Sequence, residues 1–186
     1  MPRYDQVMSK NRSAQAAERA AERAIGRTAI AGADGGAVLD LERYVPALIT
    51  FIANKLSRSA SALYQKRFHV NITEWRILAL LAIQPGIPAA HICHIIGFDK
   101  GPVSRTLSLM RGRGLVAIKS DPNDGRTRAI SLTPKGRATH DEIIGIALER
   151  ERRLLACLQH DEREQLIQLL VRVHSNLAAV TDRGID

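Results

Sequence analysis

The sequence has 186 residues, of which 45% are hydrophobic and only 4% are aromatic. This length and composition support one folded domain with an aliphatic core, which is typical of packed helices. No stretch approaches the ~18 consecutive apolar residues that a membrane-spanning helix needs, and the N-terminus lacks the apolar core of a signal peptide. We therefore expect a mainly helical, cytoplasmic protein.

Positive charge is concentrated in one segment of the chain. The formal net charge is +8, and residues 98–137 contain nine basic side chains against three acidic ones. Such an excess favours a polyanionic partner. Because the segment contains turn and strand signals rather than one long amphipathic run, nucleic acid is favoured over a membrane surface.

The first part of the chain combines a polar segment with two predicted helices. Residues 1–39 are rich in Ala, Arg, Glu, Gly and Ser, which predicts a flexible tail with helix-forming composition at residues 14–25. Apolar residues then recur at three- and four-residue steps over residues 46–68, which predicts a long helix. Thr73 is a suitable N-cap for the next helix, over residues 74–83.

Two short helices and a hairpin follow. Pro88 can start a helix that Gly97 ends in a left-handed conformation, and Asp99 can cap a second helix that reaches Arg113. The β-prone runs at 115–118 and 128–132 are separated by Asp, Pro, Asn and Gly, which is turn chemistry. We expect a β-hairpin with a basic tip.

Two long helices complete the predicted chain. Thr133-Pro134 is a start signal for a helix over residues 134–157. Asp161 and Glu164 have capping-box spacing, which predicts a last helix over residues 162–180. The apolar stripe of that last helix is wider than one small lobe can cover, which is typical of a helical bundle interface.

The order of these elements predicts a winged helix-turn-helix. Two short helices joined by a tight turn and followed by a hairpin place the second helix in the major groove of DNA. The predicted fold is therefore mainly α with a small β-hairpin wing, consisting of a winged helix-turn-helix lobe at residues 74–133 and a helical dimerisation region.

The sequence also resembles a known family, the multiple antibiotic resistance regulator (MarR) family. The resemblance rests on motifs in family order and spacing: ITEWRIL at 72–78, DKGPVSR at 99–105, GLV at 114–116, DPNDGR at 121–126 and LTPKGR at 132–137. With the flanking helices it covers about residues 40–180.

The resemblance implies a homodimer in which the helices at 46–68, 134–157 and 162–180 interlock. Members of this family bind a pseudo-palindromic double-stranded DNA operator, and most repress transcription until a small aromatic or phenolic ligand releases them. An alternative is a constitutive or architectural DNA-binding protein without an effector. No cofactor is expected.

The resemblance assigns DNA contacts to individual residues. It places Lys100, Ser104 and Arg105 in the major groove and Arg126 at the wing tip, in the minor groove. Arg128, Arg111 and Arg113 are expected to face phosphates or solvent. Pro102 departs from the polar residue usual at its position, and because proline has no N–H, one expected contact is in question. Asp121 and Asp124 are expected to brace the wing and orient Arg126.

The family's ligands bind where the dimer helices meet the winged lobe, so the candidate pocket residues are Tyr64, Phe68, Trp75 and Arg76. The alternative is that these aromatic side chains belong to the core. Cys93 and Cys157 are expected to be small buried hydrophobic residues.

Metal and enzyme hypotheses are weaker. His91, Cys93 and His94 lie close in sequence, but Cys93 points away from the histidines on a helix, and no second ligand pair with zinc spacing follows. The sequence has no nucleophile elbow, phosphate loop or paired-carboxylate motif, so we expect neither a metal site nor an enzyme.

Overall fold

The computed structural model describes residues 28–31, 33, 36–120 and 128–181. The chain divides into two compact units, Met1–Leu63 and Tyr64–Asp186. The helix that the sequence places at 14–25 lies outside the described residues. None of the helices in the described ranges has the length and apolar character needed to span a membrane.

The first unit contains a hairpin that the sequence analysis did not anticipate. Strands β1 (Ala29–Ala31) and β2 (Ala37–Leu39) pair antiparallel where a flexible tail was expected. Strands of three residues lie below the length at which an alternating pattern can be recognised, so the Gly-rich segment gave only a turn signal. The long helix α1 (Val45–Phe68) follows, as predicted.

The second unit contains the helix-turn-helix and wing in the predicted order. Its elements are α2 (Ile72–Ile83), α3 (Ala89–Ile96), α4 (Lys100–Gly112), β3 (Val116–Ser120), β4 (Arg128–Leu132), α5 (Pro134–Leu154), α6 (His160–Ser175) and α7 (Ala178–Thr181). Strands β3 and β4 pair antiparallel, with Val116 opposite Leu132 and Ser120 opposite Arg128. The predicted fold class is confirmed.

Two predicted helix starts are wrong by two residues. The N-cap of α2 is Asn71 rather than Thr73: its Oδ1 accepts from the backbone N–H groups of Thr73 and Glu74, and Glu74 accepts from the Asn71 N–H. Helix α6 likewise begins after Gln159, which forms its capping box with Glu162. In the α6 segment the pair Asp161 and Glu164 has the same spacing as Gln159 and Glu162. In the α2 segment only Asn71 has a glutamate three residues later, since Arg76 follows Thr73 at that spacing.

The core of the second unit is aliphatic. Its fully buried large side chains come from α2, α3, α4, β4 and α5 and from the residues just before α2 and β3; they are Val70, Ile77, Leu78, Leu81, Ile92, Val103, Met110, Leu115, Ile130 and Ile143. The wing is fastened to this core through a short bridge, because the Gly86 N–H donates to the Ile130 carbonyl and the Ile130 N–H donates to the Ile87 carbonyl.

Several helices expose apolar faces within the single chain. In the first unit α1 exposes Val45, Leu48, Ile49, Phe51 and Ile52. In the second unit α6 and the residues after it expose aliphatic side chains, namely Ile167, Leu169, Leu170, Val171, Val173 and Leu177. Four of these, Leu169, Leu170, Val173 and Leu177, belong to the apolar stripe predicted for the last helix. Each unit thus carries a helix whose apolar surface the described part of the chain leaves uncovered.

Candidate nucleic-acid interface

The turn between α3 and α4 fixes the angle at which α4 leaves the lobe. Gly97 has a φ of +68°, a left-handed conformation that glycine adopts without steric cost. Asp99 then adopts an extended conformation at the N-cap of α4. Backbone bonds from Gly97 and Phe98 to the Cys93 carbonyl close the end of α3. The predicted tight turn is confirmed.

Helix α4 has one buried face and one exposed face. Val103, Leu107 and Met110 are buried against the lobe. The opposite face is exposed and is lined with small residues at helical spacing around one arginine, namely Gly101, Arg105, Ser108 and Gly112. Small residues let a helix approach another surface closely. Among these four residues Arg105 has by far the longest side chain, so it projects from the centre of this face.

The predicted groove-contacting residues of α4 lie on or beside this face. Lys100, Pro102, Ser104 and Arg105 are all exposed. An added Cβ at Gly101 would lie 3.6 Å from Arg105 Nη1, so the guanidinium group extends back over the first turn of the helix. The sequence analysis did not single out the exposed Ser108 and Leu109, although helical spacing from Arg105 marks the same face.

The basic residues of this region fall into two groups. The side chains of the first group are exposed and form no hydrogen bond or ion pair within the described residues; they belong to Lys100, Arg105, Arg111, Lys119 and Arg128. Such side chains are available to neutralise phosphates. They lie on α4 and on both strands of the wing.

The second group consists of basic side chains that form hydrogen bonds to other parts of the protein. Arg113 donates to the Glu74 carboxylate at 2.7 Å, and Glu74 is only 3% exposed. Lys135 donates to the Arg113 carbonyl at 2.9 Å, and Arg137 donates to the Ala82 carbonyl at 3.2 Å. The expectation that Arg113 faces phosphate or solvent is therefore wrong, since the buried carboxylate of Glu74 holds its guanidinium group.

The tip of the wing falls outside the described residues. It contains Asp121, Asp124 and Arg126, so the bracing role expected of the two carboxylates and the groove contact expected of the arginine both stay predictions. Arg128, at the start of β4, is exposed and extends the basic surface from α4 onto the wing.

The four candidate pocket residues form two sets with different contacts. Tyr64 and Trp75 form an edge-to-face pair with ring centroids 5.8 Å apart, and Trp75 stacks on His140 at 5.5 Å. Burial raises the pKa of Tyr64, and the nearby Arg150 partly offsets this effect. His140, which the sequence did not identify, is buried, and its Nδ1–H donates to the Asp141 carboxylate at 2.7 Å.

Phe68 and Arg76 take part in two other ring contacts. The Arg76 guanidinium group lies over the Phe98 ring at 5.4 Å, and the Arg67 guanidinium group lies over Phe68 at 5.6 Å. Adjacent residues of a helix point about 100° apart, which separates Arg76 from Trp75. The two cysteines also differ from expectation, because Cys93 is partly exposed and Cys157 is exposed.

The geometry defines the chain as a winged helix-turn-helix protein, in which a helix with an exposed basic face is followed by a basic hairpin. Comparisons with known proteins narrow this class. The model of the MarR family matches residues 70–127. A MarR/EmrR family transcriptional regulator from Acinetobacter sp. ADP1 is 31% identical, with a TM-score of 0.71 over 76% of this chain and 99% of that chain. The chain belongs to the MarR family of transcriptional regulators.

Two further solved structures share the fold. PcaV from Streptomyces coelicolor, solved in complex with its natural ligand, is 25% identical, with a TM-score of 0.60 over 74% of this chain and 96% of that chain. A variant of MarR from E. coli complexed with operator DNA is 22% identical, with a TM-score of 0.62 over 69% of this chain and 92% of that chain.

Proposed function

We propose that the protein is a homodimeric repressor that binds a pseudo-palindromic operator in double-stranded DNA and is released by a small aromatic or phenolic ligand. The observation that carries the DNA-binding part is the group of exposed cations on α4 and the wing whose side chains have no partner among the residues that the structure describes. The E. coli protein with the same fold was solved on operator DNA, which supports this assignment.

The contacts in this proposal follow the winged helix-turn-helix geometry. Helix α4 enters the major groove with Arg105 at the centre of its exposed face, flanked by Lys100, Pro102 and Ser104. Pro102 contributes an apolar surface rather than a donor. On the wing, Arg126 enters the minor groove and Arg128 contacts the adjacent phosphate backbone.

A second copy of the chain covers the exposed helical faces in this proposal. Aliphatic faces such as those of α1 and α6 are stable in water only when another apolar surface packs on them. The helices at 46–68, 134–157 and 162–180 form the dimerisation region of a domain over residues 40–180, which residues 1–39 precede. Two-fold symmetry of the dimer then requires a pseudo-palindromic operator.

The experiment for DNA binding is a titration of labelled duplexes from the protein's own promoter region, followed by fluorescence anisotropy at several salt concentrations. Arg105→Ala and Arg126→Ala are each expected to weaken binding by about 1–3 kcal/mol without unfolding the protein. Arg137→Ala is the matched control, because that guanidinium group is engaged with the Ala82 carbonyl. Wild-type protein that binds all duplexes equally, or that is monomeric in light scattering, contradicts the proposal.

The effector part of the proposal rests on the aromatic cluster. Tyr64, Trp75 and His140 offer stacking surfaces, and Arg150 is close enough to Tyr64 to influence its pKa. Together these groups suit an aromatic compound with an anionic or phenolic oxygen. The ligand-bound state of the Streptomyces relative supports this assignment.

One observation favours the constitutive alternative. Tyr64 is only 2% exposed and already contacts Trp75, so the cluster also satisfies the packing needs of a core. A panel of hydroxybenzoates and phenols tested by thermal shift, and then for release of the protein from DNA, separates the two functions. Binding with release supports the ligand-responsive repressor, whereas no shift across the panel supports the constitutive form.

A further inference from the structure

An apolar stripe lies along the exposed side of α4, next to Arg105. Pro102, Thr106 and Leu109 follow each other at four- and three-residue steps, so they share one edge of the helix. Leu109 is 65% exposed. The core-facing positions of α4 are filled by other residues, so packing of the lobe does not require this leucine to be apolar.

Thr106 contributes to the stripe through its methyl group. Its hydroxyl donates to the Pro102 carbonyl at 3.0 Å, one helical turn earlier. The only donor of this side chain is thus used within the helix. What Thr106 adds to the surface of α4 is apolar, like its neighbours Pro102 and Leu109.

The residues around the stripe allow it to come close to a ligand surface. Gly101, Ser108 and Gly112 on the adjoining face have little or no side chain. Arg105 and Leu109 are therefore the groups that project furthest from this part of α4. One is a guanidinium group and the other an aliphatic side chain, and they lie on successive turns of the helix.

The major groove offers a matching pair of chemical features. Guanine presents two acceptors that arginine can bind in bidentate fashion, and thymine presents a 5-methyl group that apolar side chains contact. Pro102 and Leu109 are seven residues apart, or about 10 Å along the helix axis. This length corresponds to about three base-pair steps of 3.4 Å each.

We propose that the Pro102–Thr106–Leu109 stripe reads the 5-methyl groups of thymines that lie within about three base pairs of a guanine bound by Arg105. This inference rests on the proposed function, because it assumes that α4 lies in the major groove. Leu109 is the principal specificity-determining residue of the stripe, since it is the longest apolar side chain on it. Lys100 and Ser104 lie to the other side of Arg105 and serve phosphates or other bases.

The experiment uses a chemical substitution in the DNA. The full chain first selects its preferred duplex from a random-sequence pool, and each thymine of that duplex is then replaced by deoxyuridine, which removes only the 5-methyl group. For wild-type protein, deoxyuridine at one to three positions in each half-site is expected to weaken binding about fourfold per methyl group, the effect of removing one buried methyl from an apolar contact. At other positions no change is expected.

Matched variants assign the effect to the stripe. In Leu109→Ala the deoxyuridine penalty is expected to disappear at one position per half-site, because the contact to that methyl group is already lost. Thr106→Ser keeps the hydroxyl that binds the Pro102 carbonyl and removes only the methyl, so it is expected to reduce the penalty at a neighbouring position. Ile83→Ala is the control for loss of an exposed aliphatic side chain, since Ile83 is 78% exposed on α2.

The outcomes distinguish this inference from the proposed function. A protein that selects no sequence from the pool overturns both. A protein that selects a duplex but binds its deoxyuridine forms as tightly overturns only the methyl contact. A penalty that is the same in wild type and in Leu109→Ala shows that other residues read the methyl groups, and overturns the role of the stripe.

Discussion

The Arg113 guanidinium group donates to the Glu74 carboxylate at 2.7 Å and so joins the end of α4 to the start of α2. Glu74 also takes part in the capping box of α2, in which its other carboxylate oxygen accepts from the Asn71 N–H at 2.8 Å. One buried carboxylate therefore satisfies a helix end and a cation from a different helix, and it holds the C-terminal end of α4 against the start of α2.

Removal of Arg113 is expected to destabilise the fold. In Arg113→Ala the Glu74 carboxylate stays buried without its partner, which costs about 2 kcal/mol in the free energy of unfolding. This is below the 3–5 kcal/mol of a fully buried pair because Arg113 is 37% exposed. Urea denaturation measures the change. Arg111→Ala is the control: its exposed side chain has no partner in the described ranges, so it should lower DNA affinity and leave stability unchanged. Equal unfolding curves for Arg113→Ala and wild type would contradict the prediction.

The salt dependence of DNA binding should distinguish the basic residues that contact phosphates from those that do not. Each phosphate-neutralising side chain contributes about 0.9 to the slope of log affinity against log salt concentration. Alanine at Arg105, Lys119 or Arg128 is expected to reduce this slope by about one each per subunit that contacts DNA. Alanine at Arg137 should leave the slope intact, since its guanidinium group binds a backbone carbonyl. The prediction fails if Arg137→Ala and Arg105→Ala have the same slope.

Tyr64 is expected to make stability sensitive to alkaline pH. Its pKa is raised in the folded protein, first by burial. The unfolded chain therefore loses this proton at lower pH than the folded chain. The stabilising contribution is complete below pH ~10, the ordinary tyrosine pKa, and declines as the pH rises through the folded value. Tyr64→Phe should show a smaller loss of unfolding free energy between pH 9 and pH 11. A parallel decline in both proteins would contradict the assignment to Tyr64.

Two glycines of α5 should respond in opposite directions to alanine. A Cβ at Gly136 would collide with the Leu115 carbonyl oxygen at the base of the wing. That backbone position is fixed by Thr133, whose N–H donates to the same carbonyl. Gly136→Ala is therefore expected to lower the free energy of unfolding by more than about 2 kcal/mol.

Gly145 is the matched comparison, because an added Cβ there meets no atom within 4 Å. Alanine has the higher helix propensity, so Gly145→Ala should stabilise the protein by about 0.5–1 kcal/mol. Thermal and urea unfolding of the two variants provide the measurement. Similar stabilities for the two variants would show that the backbone around Leu115 can move aside.

The fold was predictable because its signals are local. Gly97 ends α3 and Thr133 caps α5 as the sequence indicates, with the Thr133 hydroxyl accepting from the Gly136 N–H. The cap at Asn71 was missed although its signal is also local: Glu74 follows Asn71 at capping-box spacing, whereas Arg76 stands at that spacing from Thr73. In the folded chain Glu74 makes this return contact to the Asn71 N–H.

The site was predictable in part. Helical position and the family motifs identify Arg105 and its exposed neighbours. The ion pair of Arg113 with Glu74 joins residues 39 positions apart in the chain, and the stacked rings of His140 and Trp75 are still further apart in sequence. No sequence spacing encodes such partners. Consequently a count of basic residues overestimates how many of them are free to bind DNA.

The backbone bridge of Gly86 and Ile87 to Ile130 joins β4 of the wing to the segment between α2 and α3, so the position of the wing is set by the folded lobe. In the proposed function, the separation of the wing and α4 must match the spacing of the DNA grooves that they contact. If the lobe binds DNA as proposed, a duplex with a different groove spacing must twist or bend to fit, so sequences that deform easily should be bound more tightly even at bases that no side chain reaches.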